Sequence, residues 1–413
     1  MVSAFVGVIH HILIIILSII YKYHIMNNII LDDPQTSPGA FLQFINGPST
    51  TKKYVTKGAG GFGWEIENND TTPYKSISPQ GTSVKYTRLF LKIVPIHPQS
   101  RGFSSTRVRT TPENDFIVER DTQTTLFKRS NVQLDPICPP IVFSSILTNA
   151  QGQQLLNTLN PHSINPPTSM DFKNEPEVNM GIIAMGYTTN YITLWQLRTR
   201  GGMFNLGKSQ NVSSTMQTRY KYMAAHRLIQ LYDMGYLHGD FSLPNIVIDT
   251  THTYPSIAGE EDKKSVGHVL LIDFGATFKH NIPSGAAVSR VDKLHHMLDT
   301  KVPYLGGLVP RNHDNYKWLK ILVEDEVPSD LESILINIEA NVERYNEEMY
   351  ETIRRTSPEI TNHIDKYNNS PSTVTTVRGG GRRKNRKRGK RTRRASISRK
   401  KKRRKTRRAL KRR

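Results

Sequence analysis

The stretch Tyr236–Gly275 limits what this chain can fold into more than any other. It reads Y-L-H-G-D-F-S-L-P-N-I-V-I-D, then a polar excursion, then H-V-L-L-I-D-F-G. Two apolar runs of β type, Ile246–Ile248 and Val269–Ile272, each abut a tight cluster of polar groups. The first cluster is Asp240 with Asn245 five residues on; the second is Asp273, followed by Phe274 and Gly275. A carboxylate able to accept the proton of a hydroxyl and oxygen ligands suited to a divalent cation therefore fall at adjoining strand ends. Asp and Asn on their own often only close turns. Both clusters in this order, each joined to an apolar strand, point to chemistry instead.

Charge divides the chain in two. The net charge is +22, yet Arg378–Arg413 holds 23 Lys and Arg and no acid, which leaves 34 basic against 35 acidic residues in 1–377. The body is electrically ordinary and the tail carries the whole excess. A run this basic cannot bury a core and repels itself, so 378–413 is expected to be disordered and to bind nucleic acid or another polyanion. A nuclear address would use the same residues. The single cysteine, Cys138, excludes an internal disulfide framework and a cysteine-built zinc site, and it suits a reducing intracellular compartment. At the other end, residues 2–20 are almost continuously apolar and just reach the length of a spanning helix. A membrane anchor and an upstream extension ahead of a working start at Met26 are both open readings of 1–25.

Between these ends the pattern is that of a folded body. Tyr54–Glu67 reads Y-V-T-K-G-A-G-G-F-G-W-E-I-E, in which Gly58, Gly60 and Gly63 match G-x-G-x-x-G. Such a strand–turn–strand has bare backbone that can close over phosphates. A polar insert, Asn68–Ser83, extends the hairpin. Arg88–Val94 then reads as a strand with Lys92 in its middle, where an ammonium is costly unless it meets an anion. Lys85 is the second choice, and an edge-strand lysine facing water is the bland one. Thr111-Pro112-Glu113 predicts a helix start, and the helix Asp115–Lys128 places Phe116, Glu119, Gln123 and Phe127 near one stripe. Read from the stripe alone, Glu119 is an exposed acid making an i,i+4 contact to Gln123. Ile141–Leu147 reads as a strand, Asn149–Glu177 as a polar insertion, and Met180–Tyr187 as a buried strand running into a turn. Met216–Asp233 is helical by period, as are stretches near 315–325 and 328–355. Composition shifts to a Ser/Thr/Gly linker at 368, ahead of the basic tail.

D-x-x-x-x-N followed by D-F-G resembles the catalytic core of the protein-kinase superfamily. The resemblance covers about Tyr54 to Lys279. It implies an α+β, two-lobed protein-kinase-like fold, with a β-rich N-lobe over 50–187, a mainly helical C-lobe over 188–367, and linker and tail over 368–413. It implies an ATP- and Mg²⁺-dependent serine/threonine protein kinase acting on a protein substrate. Asp240 would be the base and Asn245 and Asp273 the metal ligands. Gly58, Gly60 and Gly63 would form the phosphate loop, with Phe62 at its aromatic position. Lys92 and Glu119 would be the pair that positions ATP. Met185 would stand at the back of the nucleotide pocket, unless it is ordinary core filling, and backbone groups near Gly186 and Tyr187 would read the adenine edge. Glu65 stands where kinases favour valine.

The departures narrow the resemblance. His238-Gly239-Asp240 replaces H-R-D, Ser242 stands where serine/threonine kinases carry a lysine, and no A-P-E follows the D-F-G. H-G-D is similar to the small kinase of the KEOPS complex and occurs in aminoglycoside phosphotransferases. The long inserts and basic tail resemble kinase-like proteins of large DNA viruses, which would suit a nuclear or virion-associated location. Two other classes remain open. One is a small-molecule phosphotransferase, with Glu324, Asp325 and Glu326 as acceptor-binding acids. The other is a kinase-folded nucleic-acid-binding protein with little activity.

Overall fold

The computed structural model describes residues 38–58, 61–68, 74–77, 83–86, 88–97, 110–131, 134–159, 176–187, 191–198, 214–254, 266–280, 288–300, 303–304, 307–308, 316–325, 331–356, 361 and 364–365. The segment 1–25, Gly60 and the tail 378–413 lie outside them. The chain divides after Asn368 into two units, Met1–Asn368 and Asn369–Arg413, and the elements described here belong to the first.

The architecture is mixed α+β, with an antiparallel sheet and several helices. Helix α1 (Pro38–Ile45) leads into strands β1 (Thr50–Gly58) and β2 (Gly61–Asn68), a hairpin in which Gly58 pairs with Gly61. A Cβ on Gly61 would lie 2.4 Å from the Ile93 carbonyl oxygen, so this position must be glycine. Strands β3 (Tyr74–Ile77) and β4 (Ser83–Tyr86) pair with each other as a separate antiparallel hairpin; the insert does not extend the first one. Strand β5 (Arg88–His97) joins β2 on one side.

Alternation along β5 decides the two faces of the sheet. Leu89, Leu91 and Ile93 turn to one face and pack with Phe41, Phe44 and Ile45 of α1 and with Trp64 and Ile66 of β2. Val94 and Ile96 turn to the other and pack with Phe116. Thr111-Pro112 forms a short strand, β6, parallel to the end of β5, and only then does α2 (Glu113–Asn131) begin. The helix expected from Pro112, with Thr111 as its cap, therefore starts one residue later, at Glu113. The residue before a proline is pushed to extended geometry, and here the edge of β5 takes it up. Glu113 and Asp115 in the first turn and Lys128 and Arg129 in the last match the helix dipole.

Strand β7 (Ile141–Leu147) and helix α3 (Asn149–Leu159) follow, then β8 (Asn179–Tyr187), which lies between β5 and β7. The sheet order is β1-β2-β5-β8-β7. Helix α3 falls where a polar insertion was expected. Its Leu155, Leu156 and Leu159 are buried in the same core as α1.

A second core gathers the remaining elements. Strand β9 (Tyr191–Thr193), helix α4 (Leu194–Arg198) and helix α5 (Ser214–Asp233) precede the short strand β10 (Tyr236–Leu237). Then come β11 (Ile246–Tyr254), β12 (Val266–Leu271) and β13 (Phe278–Lys279), with β12-β11-β9 forming one sheet and β10-β13 another. Helices α6 (Arg290–Asp299), α7 (Lys317–Lys320) and α8 (Leu331–Thr356) complete it. Helix α6 was not foreseen, although Ser289 caps it by accepting from Asp292 N–H at 3.0 Å, a readable S-x-x-D signal. The Glu332 carboxylate of α8 accepts the N–H groups of Arg290 and Val291, which fastens that same helix end to α8.

The two cores are joined by the segment between α2 and β7. Ile137 and Cys138 pack into the second core, and the Ile137 carbonyl accepts Leu271 N–H at 2.8 Å. Asp135 and Arg227 form a buried ion pair there. Burial also pushes the Cys138 thiol well up, so it is a packed, unreactive sulfur. Among the described residues no helix is long and apolar enough to cross a membrane; residues 2–20 are not among them.

Candidate active site

Lys92 stands on the face of β5 that also carries Val94 and Ile96, and it meets two carboxylates. Its Nζ lies 2.5 Å from Glu119 Oε1 of α2 and 2.7 Å from Asp273 Oδ1, just after β12. Glu119 is buried at 5% exposure, while the Asp273 side chain is 46% exposed. The mid-strand lysine thus has its anions, and Glu119 faces inward rather than toward solvent. Burial pulls the Lys92 pKa down, but Asp273 and Glu119 outweigh it and the net shift is upward. Lys92 in turn is the main cause that holds Asp273 below the ordinary carboxylate value. Burial pushes Glu119 up, against the pull of Lys92.

Asp273 sits in the left-handed region, at φ 64° and ψ 69°, which aspartate tolerates better than most residues. Gly275 follows so closely on α2 that an added Cβ would be 3.1 Å from Glu119 Oε2. The D-F-G turn is therefore seated directly against the glutamate that pairs with Lys92. Phe274 is buried, with its ring 5.0 Å from that of His238.

The two halves of the organising motif are stitched together. Ile272 N–H donates to the Asn245 carbonyl at 3.0 Å, and His238 Nε2 meets the Ile272 carbonyl at 3.1 Å. Asp240 N–H donates to His238 Nδ1 at 3.3 Å. One ring nitrogen accepts and the other must donate, so this network needs a neutral His238 carrying its proton on Nε2. Burial lowers the His238 pKa and keeps it so, although Asp240 and Asp273 pull the other way. Gly239 has φ 76°, a geometry that strains any side chain. Gly239 therefore stands where the backbone suits glycine.

Asp240 and Asn245 come together as expected. Asn245 Nδ2 donates to the Asp240 carbonyl at 3.0 Å, which leaves the amide oxygen as the acceptor. Asp240 Oδ1 is buried and has no hydrogen-bond partner among the described residues. Such an oxygen can take a water, an ion or a substrate group. With Asp273 and the Asn245 amide, the available donors are all oxygens, a set that fits Mg²⁺. Among the described residues no three His, Cys, Asp or Glu side chains gather as a metal-binding group.

The remaining expected residues are placed as follows. Gly63 pairs across the strands with Lys92, so the glycine strand β2 runs beside the lysine. Gly58 ends β1, and Gly60 lies outside the described residues. Phe62 is not a loop residue: it is buried on the opposite sheet face, its ring 6.3 Å from that of Trp64. Glu65 accepts from Arg88 at 2.9 Å. Met185 lies on the Lys92 face, opposite Phe90, and its sulfur receives Gln123 Nε2 at 3.1 Å. Gly186 N–H is taken by the Pro140 carbonyl at 2.9 Å and is not available to a ligand, while Tyr187 ends β8 opposite Arg88. Lys85 stands in the separate β3–β4 hairpin, paired with Lys75.

Three groups at the site were not foreseen. Thr277 Oγ1 donates to the His238 carbonyl, Tyr316 OH to the Gly239 carbonyl and Trp318 Nε1 to the Phe241 carbonyl. Tyr316 and Trp318 are each 77 residues from their partners, and no local pattern marks them. No protein-family model matches the chain, and no curated protein matches it.

Proposed function

We propose that the chain is an ATP- and Mg²⁺-dependent protein kinase of the serine/threonine kind, the sheet-bearing and helical parts being the two lobes of a kinase-like fold. One observation carries the reading. Lys92 of β5 reaches Glu119 of α2 at 2.5 Å and Asp273 after β12 at 2.7 Å, and Asp273 is tied through Ile272 to Asn245 and His238 beside Asp240. A structural ion pair needs one acid; a lysine shared by a buried and a half-exposed carboxylate, with Asp240 and Asn245 tied to the same turn, is a net-negative cluster suited to a divalent cation that brings phosphate with it.

The chemistry follows from the residues. Lys92, held by Glu119, presents its ammonium to the nucleotide phosphates. Mg²⁺ held by Asn245 and Asp273 would neutralise charge on the phosphate oxygens. Asp240 orients the acceptor hydroxyl and takes its proton as the new O–P bond forms and the bond from the γ-phosphorus to the β–γ bridging oxygen breaks. ADP leaves, and the proton passes from Asp240 to solvent. Neutral His238 holds the Asp240 backbone and takes no proton. Of the acids named for a small acceptor, Glu324 forms a partly exposed i,i+4 pair with Lys320 at 3.7 Å.

The test is incubation of the purified chain with γ-labelled ATP, Mg²⁺ and a mixture of acidic and basic proteins. Label on protein serine or threonine, lost on chelation of the metal, is the expected result. Label transferred only to small acceptors, or none with intact nucleotide binding, would overturn it.

A further inference from the structure

The backbone carrying Asp240 belongs to no helix and no strand: β10 ends at Leu237 and the next helical turn starts at Leu243. Its carbonyls must find other partners or lose hydrogen bonds. Each of the four from His238 to Phe241 receives a side-chain donor. Thr277 Oγ1 reaches His238 O at 3.1 Å, Tyr316 OH reaches Gly239 O at 2.9 Å, Asn245 Nδ2 reaches Asp240 O at 3.0 Å and Trp318 Nε1 reaches Phe241 O at 2.9 Å.

Two of these donors come from one short segment. Tyr316 and Trp318 are buried, at 9% and 3% exposure, and the Tyr316 ring lies 4.5 Å from that of Phe241. The peptide plane before Asp240 is therefore held at both edges, its carbonyl by Tyr316 and its N–H by His238 Nδ1. The plane after Phe241 is held by Trp318. The Asp240 side chain itself has an oxygen left without a partner. Its direction is set by backbone orientation, and two aromatic donors fix that orientation from either side.

We propose that Tyr316 and Trp318 are positioning residues that aim the Asp240 carboxylate at the acceptor hydroxyl, an inference that rests on the kinase reading above. They touch neither nucleotide nor acceptor. A carboxylate displaced by a fraction of an ångström costs turnover rather than nucleotide affinity, because the hydroxyl proton moves only in the transition state.

The test uses the full chain with Tyr316→Phe, which removes one oxygen and keeps the ring against Phe241, and Trp318→Phe as a second, independent variant. Tyr350→Phe is the control: it removes a hydroxyl that donates to Asp365 at 2.7 Å, away from the site. Turnover should fall about tenfold to a hundredfold in either site variant. The KM for ATP should stay within about twofold in both, and the control should match wild type in both constants. Amide exchange over 238–243 should quicken about tenfold in the site variants and not elsewhere. Wild-type turnover in both site variants, or turnover and KM shifting together as for a general loss of structure, would overturn the clamp while leaving the kinase reading intact. Failure of wild type to transfer phosphate would overturn the kinase reading. In that case unchanged exchange over 238–243 in Tyr316→Phe would also overturn the clamp, and quickened exchange there would support its structural half.

Discussion

Lys92 and Asp273 are separated by 181 residues and meet at 2.7 Å. This contact joins the sheet-bearing part to the end of β12, and it occupies one oxygen of the carboxylate that a cation would use. Asp273 and Asp240 should therefore fail differently when altered. Asp273→Asn should abolish metal-dependent ATP binding. Asp240→Asn should lower turnover by about 10²- to 10⁴-fold, the usual range for a lost general base, with nucleotide affinity nearly intact. Calorimetric titration with Mg²⁺–ATP beside a transfer assay separates the two, and full activity in Asp240→Asn would remove the assignment.

Activity should not need phosphorylation after the D-F-G turn. Gly239 offers no guanidinium for a phosphate, and the turn is already tied down by Thr277 Oγ1 on the His238 carbonyl. Phosphatase-treated protein should therefore keep its turnover. Loss of activity that maps to a modified site within 276–295 would contradict this.

The Asp135–Arg227 pair should matter more when broken than when replaced. Arg227 is fully buried, donates to Asp135 at 2.5 Å and to the Val269 carbonyl at 3.0 Å, and holds Asp135 well below its ordinary pKa against the cost of burial. Asp135→Ala leaves a buried cation and should cost about 3–5 kcal/mol in urea unfolding. The double change Asp135→Leu with Arg227→Met should cost clearly less. Equal losses in both proteins would mean that packing, not charge, holds this joint.

Stability should fall on mild acidification, and His226 is a named cause. Burial, helped by the nearby Arg227 and Arg290 and opposed by Asp135, lowers its pKa from 6.5 to about 3. The unfolded chain binds that proton more tightly than the folded one. The contribution is therefore complete above pH 6.5 and is lost progressively as pH falls from 6.5 toward about 3. Buried His268, also lowered by burial, adds to the same trend. His226→Leu should flatten the slope of unfolding free energy between pH 7.5 and 5, read from denaturant melts; an unchanged slope would exonerate it.

The basic tail should bind polyanions with little sequence preference. Arg378–Arg413 carries 23 Lys and Arg, so affinity for DNA or RNA should drop steeply from low to moderate salt as counterions are released. Binding should vanish in a chain ending at Thr376. Equal binding by both forms would place the nucleic-acid site on the body.

How much was legible in the sequence follows the range of the interactions. Period and flanking residues marked β5, α2, β7, β8 and α5, because alternation and the helical stripe are local properties of the chain. Spacing and the apolar runs put Asn245 and Asp273 at the ends of two strands, with Asp240 five residues before the first, and an isolated mid-strand lysine named Lys92 as a residue in need of an anion. Local pattern missed α3, whose three buried leucines sit among polar residues, and the resemblance misplaced Phe62, since only pairing with Ile93 decides which sheet face that ring takes. Register and long-range closure settled the rest. That Glu119 turns inward to Lys92, that Gly186 N–H is already bonded to Pro140, and that Tyr316 and Trp318 grip the backbone around Asp240 depend on groups 27 to 77 residues apart meeting in a packed core. A sequence can state that a buried charge or a bare carbonyl must find a partner; which partner it finds is fixed only when the elements pack.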